Sequence, residues 1–293
     1  MIVACIPAYN EEDTIAKIIL LTKKYVDKVI VCDDGSTDLT GEIAVGLSAL
    51  LIKHTQRKGY GAAVRSLFNK AIKLGADLVV TLDGDGQHNP DELPMLIEPI
   101  LQGNADMVIG SRFIDENAND VPRLRRIGIG AITRLTSIAS GVKIHDAQSG
   151  FRAYSKKAIK LLELTEDGMG ASTEILLKAY GKDLRIVELP ITVRYEGLDT
   201  STHHPLTHGM SVVTSIIKLV VEEQPLTFLG IPGFICLLVG IFFGVWMLQA
   251  YATAHRIITN IALASIGFIL IGTFTIFTAI TLYAISRMNK IRK

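Results

Sequence analysis

The sequence predicts an α/β domain with a mainly parallel central sheet and helices on both faces, followed by an interfacial helix and a two-helix transmembrane hairpin. Three observations lead there. From residue 2 to about residue 110, short apolar runs of strand length alternate with stretches of helical periodicity. Three of those runs, ending at Ile6, Cys32 and Leu82, stop abruptly in polar, acidic or turn-forming residues. Two long uncharged apolar segments close the chain, and the mean hydropathy of +0.36 is high for a purely soluble protein.

Each element has a local reason. Ile2–Ile6 reads as a buried strand ended by Pro7, and Ala8–Asp13 as a polar turn that opens a helix with carboxylates in its first turn. Ile15, Ile18, Ile19 and Thr22 follow at helical spacing. Val29–Cys32 is a second strand leading into Asp33-Asp34-Gly35-Ser36-Thr37-Asp38, and Leu50–Ile52 a third. Gln56-Arg57-Lys58-Gly59 is a basic turn before a helix over about 62–74. Val79–Leu82 is a fourth strand, Pro90–Leu101 a helix, Asp106–Gly110 a fifth strand and Ile186–Val193 the last. Residues 146–154 read as a glycine-containing polar loop. Glu174 stands at a helix start, as a cap or a surface residue.

Asp83-Gly84-Asp85 carries the most chemistry. Carboxylates at i and i+2 in a turning segment can both face one cation, and hard oxygen ligands of this kind suit Mg²⁺ or Mn²⁺, which usually also hold substrate phosphates. In a parallel sheet the three polar strand ends share one edge, where open α/β sheets bind ligands. A nucleotide fits that edge, with one acidic turn for its base or ribose and the metal pair for its diphosphate. Arg112, Arg123, Arg125 and Arg126 follow, and guanidinium forks suit phosphate oxygens.

Beyond Asp199 the composition changes. His203, His204 and His208 sit in a Pro/Thr-bearing stretch that reads as a polar linker rather than a metal site. Residues 209–224 form an amphipathic juxtamembrane helix, for a membrane interface or for packing under the soluble domain. Phe228–Tyr251 and Ile261–Ser286 contain no Asp, Glu, Lys or Arg, and each exceeds the ~20 residues a bilayer needs. Arg287, Lys290, Arg292 and Lys293 follow the second span, whereas the connector holds Arg256 alone, which predicts a cytoplasmic C-terminus and a cytoplasmic N-terminal domain. The strand-like N-terminus predicts no secretory signal. Cys5, Cys32 and Cys236, scattered in apolar surroundings, read as buried thiols of a reducing compartment. The net charge of +1 over 293 residues gives no reason to expect a nucleic-acid partner.

In order, Pro7-Ala8-Tyr9-Asn10-Glu11-Glu12, Asp33–Asp38 and Asp83-Gly84-Asp85-Gly86-Gln87-His88 resemble the GT-A glycosyltransferases of family 2. Gly110-Ser111-Arg112-Phe113 and Gln148-Ser149-Gly150-Phe151-Arg152 are similar to the branch that glycosylates polyprenyl phosphates, typified by dolichyl-phosphate mannose synthase. The resemblance covers residues 1 to about 200 and implies a Rossmann-like GT-A domain over 1–208.

The resemblance also implies roles. Pro7, Tyr9, Glu11 and Asp33 would hold the nucleoside, with Asp34 nearby, and Lys58 would lie near the diphosphate. Asp83, Asp85 and Gln87 would surround the metal, Mg²⁺ or Mn²⁺. Arg112, Arg126 and Arg194 would receive the lipid phosphate, with Arg125 an alternative to Arg126. The implied activity is that of an inverting hexosyltransferase taking UDP-GlcNAc, UDP-glucose or GDP-mannose to dolichyl or polyprenyl phosphate, for N-glycosylation or other surface glycans. Transfer to another membrane acceptor, and a non-catalytic scaffold of the same fold, are the competing readings. A processive polysaccharide synthase fits less well, since two spans leave little of a channel and Gln-X-X-Arg-Trp is not evident.

Overall fold

The computed structural model describes residues 1–114, 129–130, 133–134, 136–137, 144–193, 225–255 and 257–291. The expected helix over 209–224, and Arg123, Arg125, Arg126, Arg194, His203, His204 and His208, lie outside these residues. The chain divides into two compact units, Met1–Ile216 and Ile217–Lys293.

The first unit is a seven-stranded sheet in the order β3-β2-β1-β4-β6-β5-β7. Its elements are β1 (Ile2–Ala8), α1 (Glu12–Thr22), β2 (Lys28–Asp33), α2 (Thr40–Gly46), β3 (Leu50–Lys53), α3 (Tyr60–Lys73) and β4 (Leu78–Thr81). A 3₁₀ turn (Pro90–Glu92), α4 (Leu93–Leu101), β5 (Met107–Ser111), β6 (Arg152–Ser155), α5 (Lys156–Leu161), α6 (Ala171–Gly181) and β7 (Ile186–Pro190) follow. Strand alternation sorts the side chains into two cores. Val3, Cys5, Ile30, Val79 and Met107 pack under α3, α5 and α6. Ala4, Ile6, Val31, Val80 and Val108 pack under α1 and α4. Both faces of the sheet are covered, which is why its strands read as continuous apolar runs.

The structure departs from the sequence reading in three strands. β1 continues through Pro7, which pairs in register with Cys32. The reason is directional: Ala8 O accepts from Asp34 N on the β2 side, so Pro7 faces the β4 side, where β4 pairs no further than Cys5. Arg152–Ser155, expected within a polar loop, is β6, antiparallel to both β4 and β5. It is the one strand that reverses the otherwise parallel sheet of the described residues. β7 stops at Pro190, and Val193 forms only an isolated bridge with His88.

Chain order reverses between β1 and β4, so the switch-point crevice of the sheet opens at Pro7–Tyr9 and Leu82–Asp85. Because β6 runs backwards, its beginning at Gly150–Arg152 reaches that same edge.

In the second unit, α7 (Ile231–Ala254) and α8 (Thr259–Ile291) form an antiparallel hairpin. The turn passes through His255 at φ 51°. Ser265 Oγ donates to Gly240 O at 2.8 Å, and a Cβ on Gly240 would stand 2.7 Å from Ile269 N, so the small residue permits close helix approach. Leu226–Thr253 and Thr259–Ile285 are long and apolar enough to cross a membrane, and only 11% of each apolar window is buried. A soluble core helix would be mostly covered; here Phe242, Trp246, Phe274 and Phe277 face outward, as a membrane-associated hairpin requires. Of the expected spans, 228–251 takes in the end of a π-helical turn (Leu226–Gly230) and most of α7, and 261–286 lies within α8.

Candidate functional site

The loops after β1 and β2 are knitted together. Asn10 N–H donates to Ser36 Oγ, Thr37 N–H to Asn10 Oδ1, and Glu11 N–H to Thr40 Oγ1, at 2.8–3.0 Å. Asp33 is buried, and its Oδ1 accepts from Ser36 N–H at 2.7 Å. Asp34 points elsewhere: its carboxylate accepts from Lys58 N–H at 2.9 Å and from Gly59 N–H at 2.7 Å. Lys58 itself is exposed, and Arg57 stacks over the Tyr9 ring with Cζ 4.1 Å from the centroid. Pro7, Tyr9, Glu11, Asp33, Asp34 and Lys58 therefore gather around the crevice, with Asp34 facing into the protein.

A second wall meets this turn. Gly59 adopts φ 105°, and a Cβ there would stand 2.5 Å from Asp167 O, so glycine is needed on both counts. Arg65 Nη2 reaches Asp167 Oδ1 at 2.5 Å. The loop over 165–168 is held from below by Glu174, which is fully buried. Glu174 accepts from the backbone N–H groups of Thr165 and Glu166 and from Lys178 Nζ. It is thus neither a surface residue nor a helix cap, but an internal support.

At the end of β4, Thr81 Oγ1 donates to Gly150 O at 2.7 Å and joins the start of β6 to the Asp83 segment. Asp83 lies against Gly150, and its Oδ2 is 3.5 Å from His88 Nε2. Asp85 Oδ1 accepts from Gln87 N–H at 3.0 Å, closing a tight turn through Gly86. Thr14 Oγ1 donates to Gly84 O at 2.6 Å, which fixes this turn to the start of α1. Gln87 and His88 are both buried.

Among the described residues, no three His, Cys, Asp or Glu side chains converge on one point. Two carboxylates with an amide are nevertheless the set that Mg²⁺ or Mn²⁺ uses when substrate phosphates complete its shell. Burial, and after it the nearby Asp85 and Asp83 carboxylates, pushes the Glu11 carboxyl up to about 7. Asp83, Asp85 and Gln87 fit the expected group.

On the far side, Arg112 leaves the end of β5 and pairs with the fully buried Asp146. Glu188 on β7 accepts from the His145 and Asp146 N–H groups and meets His145 Nδ1 at 2.7 Å. The sequence motifs contain His88 and Asp146 without giving them a role, and Glu188 and His54 fall outside them. For Asp146 a signal existed, since a lone carboxylate preceding a glycine-bearing loop faces the same strand edge as Arg112.

Residues 3–162 match the family model described as Glycosyl transferase family 2. The chain is similar to the UDP-N-acetylglucosamine–dolichyl-phosphate N-acetylglucosaminyltransferase of Methanococcus voltae, with 33% identity over 73% of this chain and 91% of that one. It is similar to a dolichyl-phosphate hexose transferase of Haloferax volcanii, with 35% identity over 74% of this chain and 92% of that one. In structure it resembles glucosyl-3-phosphoglycerate synthase of Mycobacterium tuberculosis in complex with Mn²⁺, UDP and phosphoglyceric acid. There the TM-score is 0.57 at 23% identity, covering 75% of this chain and 78% of that one, a likeness that carries the GT-A fold. The acidic switch-point crevice, the reversed sixth strand and the family match lead to one conclusion: the chain belongs to glycosyl transferase family 2 and is a glycosyltransferase.

Proposed function

We propose that the enzyme moves a sugar from a nucleotide-sugar onto the phosphate of dolichol or another polyprenol, with inversion, at the cytoplasmic face of a membrane. The observation that carries this reading is the shared strand edge, where Asp83 and Asp85 stand between the knitted β1/β2 loops and Arg112. The activities named for the Methanococcus and Haloferax relatives support the acceptor class.

In this reading the nucleoside lies against Pro7, Tyr9, Glu11 and Asp33, and Lys58 faces the diphosphate. A divalent cation held by Asp83, Asp85 and Gln87 would supply charge neutralisation for the leaving nucleoside diphosphate. The acceptor phosphate is already anionic near neutral pH, so no side chain needs to remove its proton. An acceptor phosphate oxygen bonds to the anomeric carbon as the bond to the diphosphate breaks, and the nucleoside diphosphate departs with the electron pair. Arg112, with Arg126 (or Arg125) and Arg194, orients the acceptor, a contribution of proximity. An acceptor whose tail stays in the bilayer suits a chain that joins a catalytic domain over 1–208 to two apolar spans. The cluster Arg287, Lys290, Arg292 and Lys293 supports the cytoplasmic side.

The test is a panel of radiolabelled UDP-GlcNAc, UDP-glucose and GDP-mannose with dolichyl phosphate and the full chain in membranes, with Mn²⁺ or with chelator. One donor is expected to label the lipid fraction, with the label lost on chelation and in Asp85→Ala at unchanged membrane insertion. Label on a different acceptor without lipid phosphate would replace the acceptor assignment. No turnover with any donor would leave the scaffold reading.

A further inference from the structure

We propose that His54 is a positioning residue for the donor diphosphate, acting through Asp34 and the Gln56–Gly59 turn; this rests on the donor site proposed above. His54 follows β3 and is 7% exposed. Its Nδ1 donates to Asp34 Oδ1 at 2.6 Å. Its Nε2 meets Ser66 Oγ on α3 at 3.0 Å and Cys32 Sγ on β2 at 3.7 Å. One buried ring therefore ties together β2, β3 and α3, directly behind the basic turn.

The direction of the turn's amides gives this tie its consequence. A basic, glycine-bearing turn at the start of a helix resembles a backbone cradle for phosphate. Here the N–H groups of Lys58 and Gly59 point inward and are satisfied by the Asp34 carboxylate. What the turn offers outward is side chains, Lys58 and the Arg57 guanidinium stacked on Tyr9. Their placement depends on how firmly Asp34 holds the turn, and Asp34 is itself oriented by His54. The turn has little room to find another seat, because a Cβ on Gly35 would stand 2.8 Å from Arg57 N. With both Asp34 oxygens occupied by protein donors, Asp34 serves as the anchor of the turn and not as a nucleoside ligand.

His54→Leu removes every hydrogen bond of the ring, His54→Asn keeps an N–H close to the Nδ1 position, and Ser66→Ala removes only the Ser66 contact. The experiment uses the full-length protein in detergent or nanodiscs. It measures binding of UDP, GDP and the bare nucleosides with Mn²⁺ by calorimetry, and KM for the sugar donor and for dolichyl phosphate. In His54→Leu, nucleoside diphosphate Kd and donor KM are expected to rise about tenfold or more, the scale of one lost hydrogen bond to a charged group, while acceptor KM stays within about twofold. His54→Asn should recover most of the loss. Ser66→Ala should shift Kd in the same direction by roughly two- to fivefold, and it stands in if His54→Leu fails to fold. Unchanged diphosphate Kd in the folded variants, or a parallel loss of kcat with no selective effect on the diphosphate, overturns the proposal. Failure of the wild-type protein to bind any nucleoside diphosphate overturns the donor site beneath it, and the proposal with it.

Discussion

The Arg112 guanidinium closes a two-bond fork on the Asp146 carboxylate, Nε to Oδ2 at 2.6 Å and Nη2 to Oδ1 at 2.7 Å. Arg112 N–H adds a third contact to Oδ2 at 3.2 Å. The fork fixes the orientation of the guanidinium along the strand edge. Removing one partner of so buried a pair costs about 3–5 kcal/mol. Asp146→Asn should therefore lower the melting midpoint on the order of 10 °C and raise acceptor KM, while nucleotide binding is kept. Arg112→Lys keeps the charge and loses the fork, and should weaken the acceptor more than the fold. Differential scanning fluorimetry and acceptor titrations check both.

Gly150 is predicted to be intolerant of any side chain. A Cβ there would stand 2.6 Å from Asp83 Oδ2 and 2.7 Å from Oδ1, so the carboxylate must move. A displacement on the ångström scale at a reacting centre costs on the order of 10²-fold in rate. Gly150→Ala should show that loss together with weaker Mn²⁺ dependence, at a nearly unchanged melting midpoint. Gly46→Ala, with nothing within 4 Å of its Cβ, is the matched control and should retain full turnover.

Cys5 and Cys32 should be chemically silent. Both are 0% exposed, and burial, with the Asp34 and Asp33 carboxylates, pushes the Cys32 thiol up to about 12. Burial raises Cys5 as well. A water-soluble maleimide at neutral pH is expected to label neither residue in the native protein and both after denaturation, read by mass spectrometry. Labelling of Cys32 in the native state would contradict the packing around it.

Asp77 sets a small acid sensitivity. Lys156 Nζ and the Met1 ammonium each reach its carboxylate at 2.8 Å and hold it from 3.8 down to about 2. A depressed carboxyl stabilises the fold above its unfolded value and loses that contribution as pH falls through about 2. Asp77→Asn should thus melt lower than wild type at pH 5, with the gap closing by pH 2. The gap is modest, because the partners are exposed, and salt narrows it further.

Sequence reasoning located the crevice because a buried strand that ends in carboxylates changes composition abruptly, as Val79–Asp85 does. It missed β6 because Arg152 stands in the middle of the sheet. Arg152 is 1% exposed, and its Nη1 and Nη2 donate to the carbonyls of Ser172 and Ala147, partners that a linear reading does not supply. Pro7 looked like a strand end because its missing N–H matters only if a neighbour faces it, and here none does. Adjacent Asp33 and Asp34 are indistinguishable in a string. Only the folded turn decides that one bonds Ser36 N–H and the other the Lys58 and Gly59 amides.

The reversed strand β6 has a consequence for biosynthesis. Thr81 and Gly150, whose bond seats the Asp83 segment, are 69 residues apart. On the ribosome, β1 to β4 can pair among themselves as soon as they emerge, but β4 then waits with an open edge until β6 is made. Asp83 and Asp85 are consequently among the last features of the domain to acquire their final geometry, and a chain stalled before Gly150 would present a bare, apolar strand edge to its neighbours.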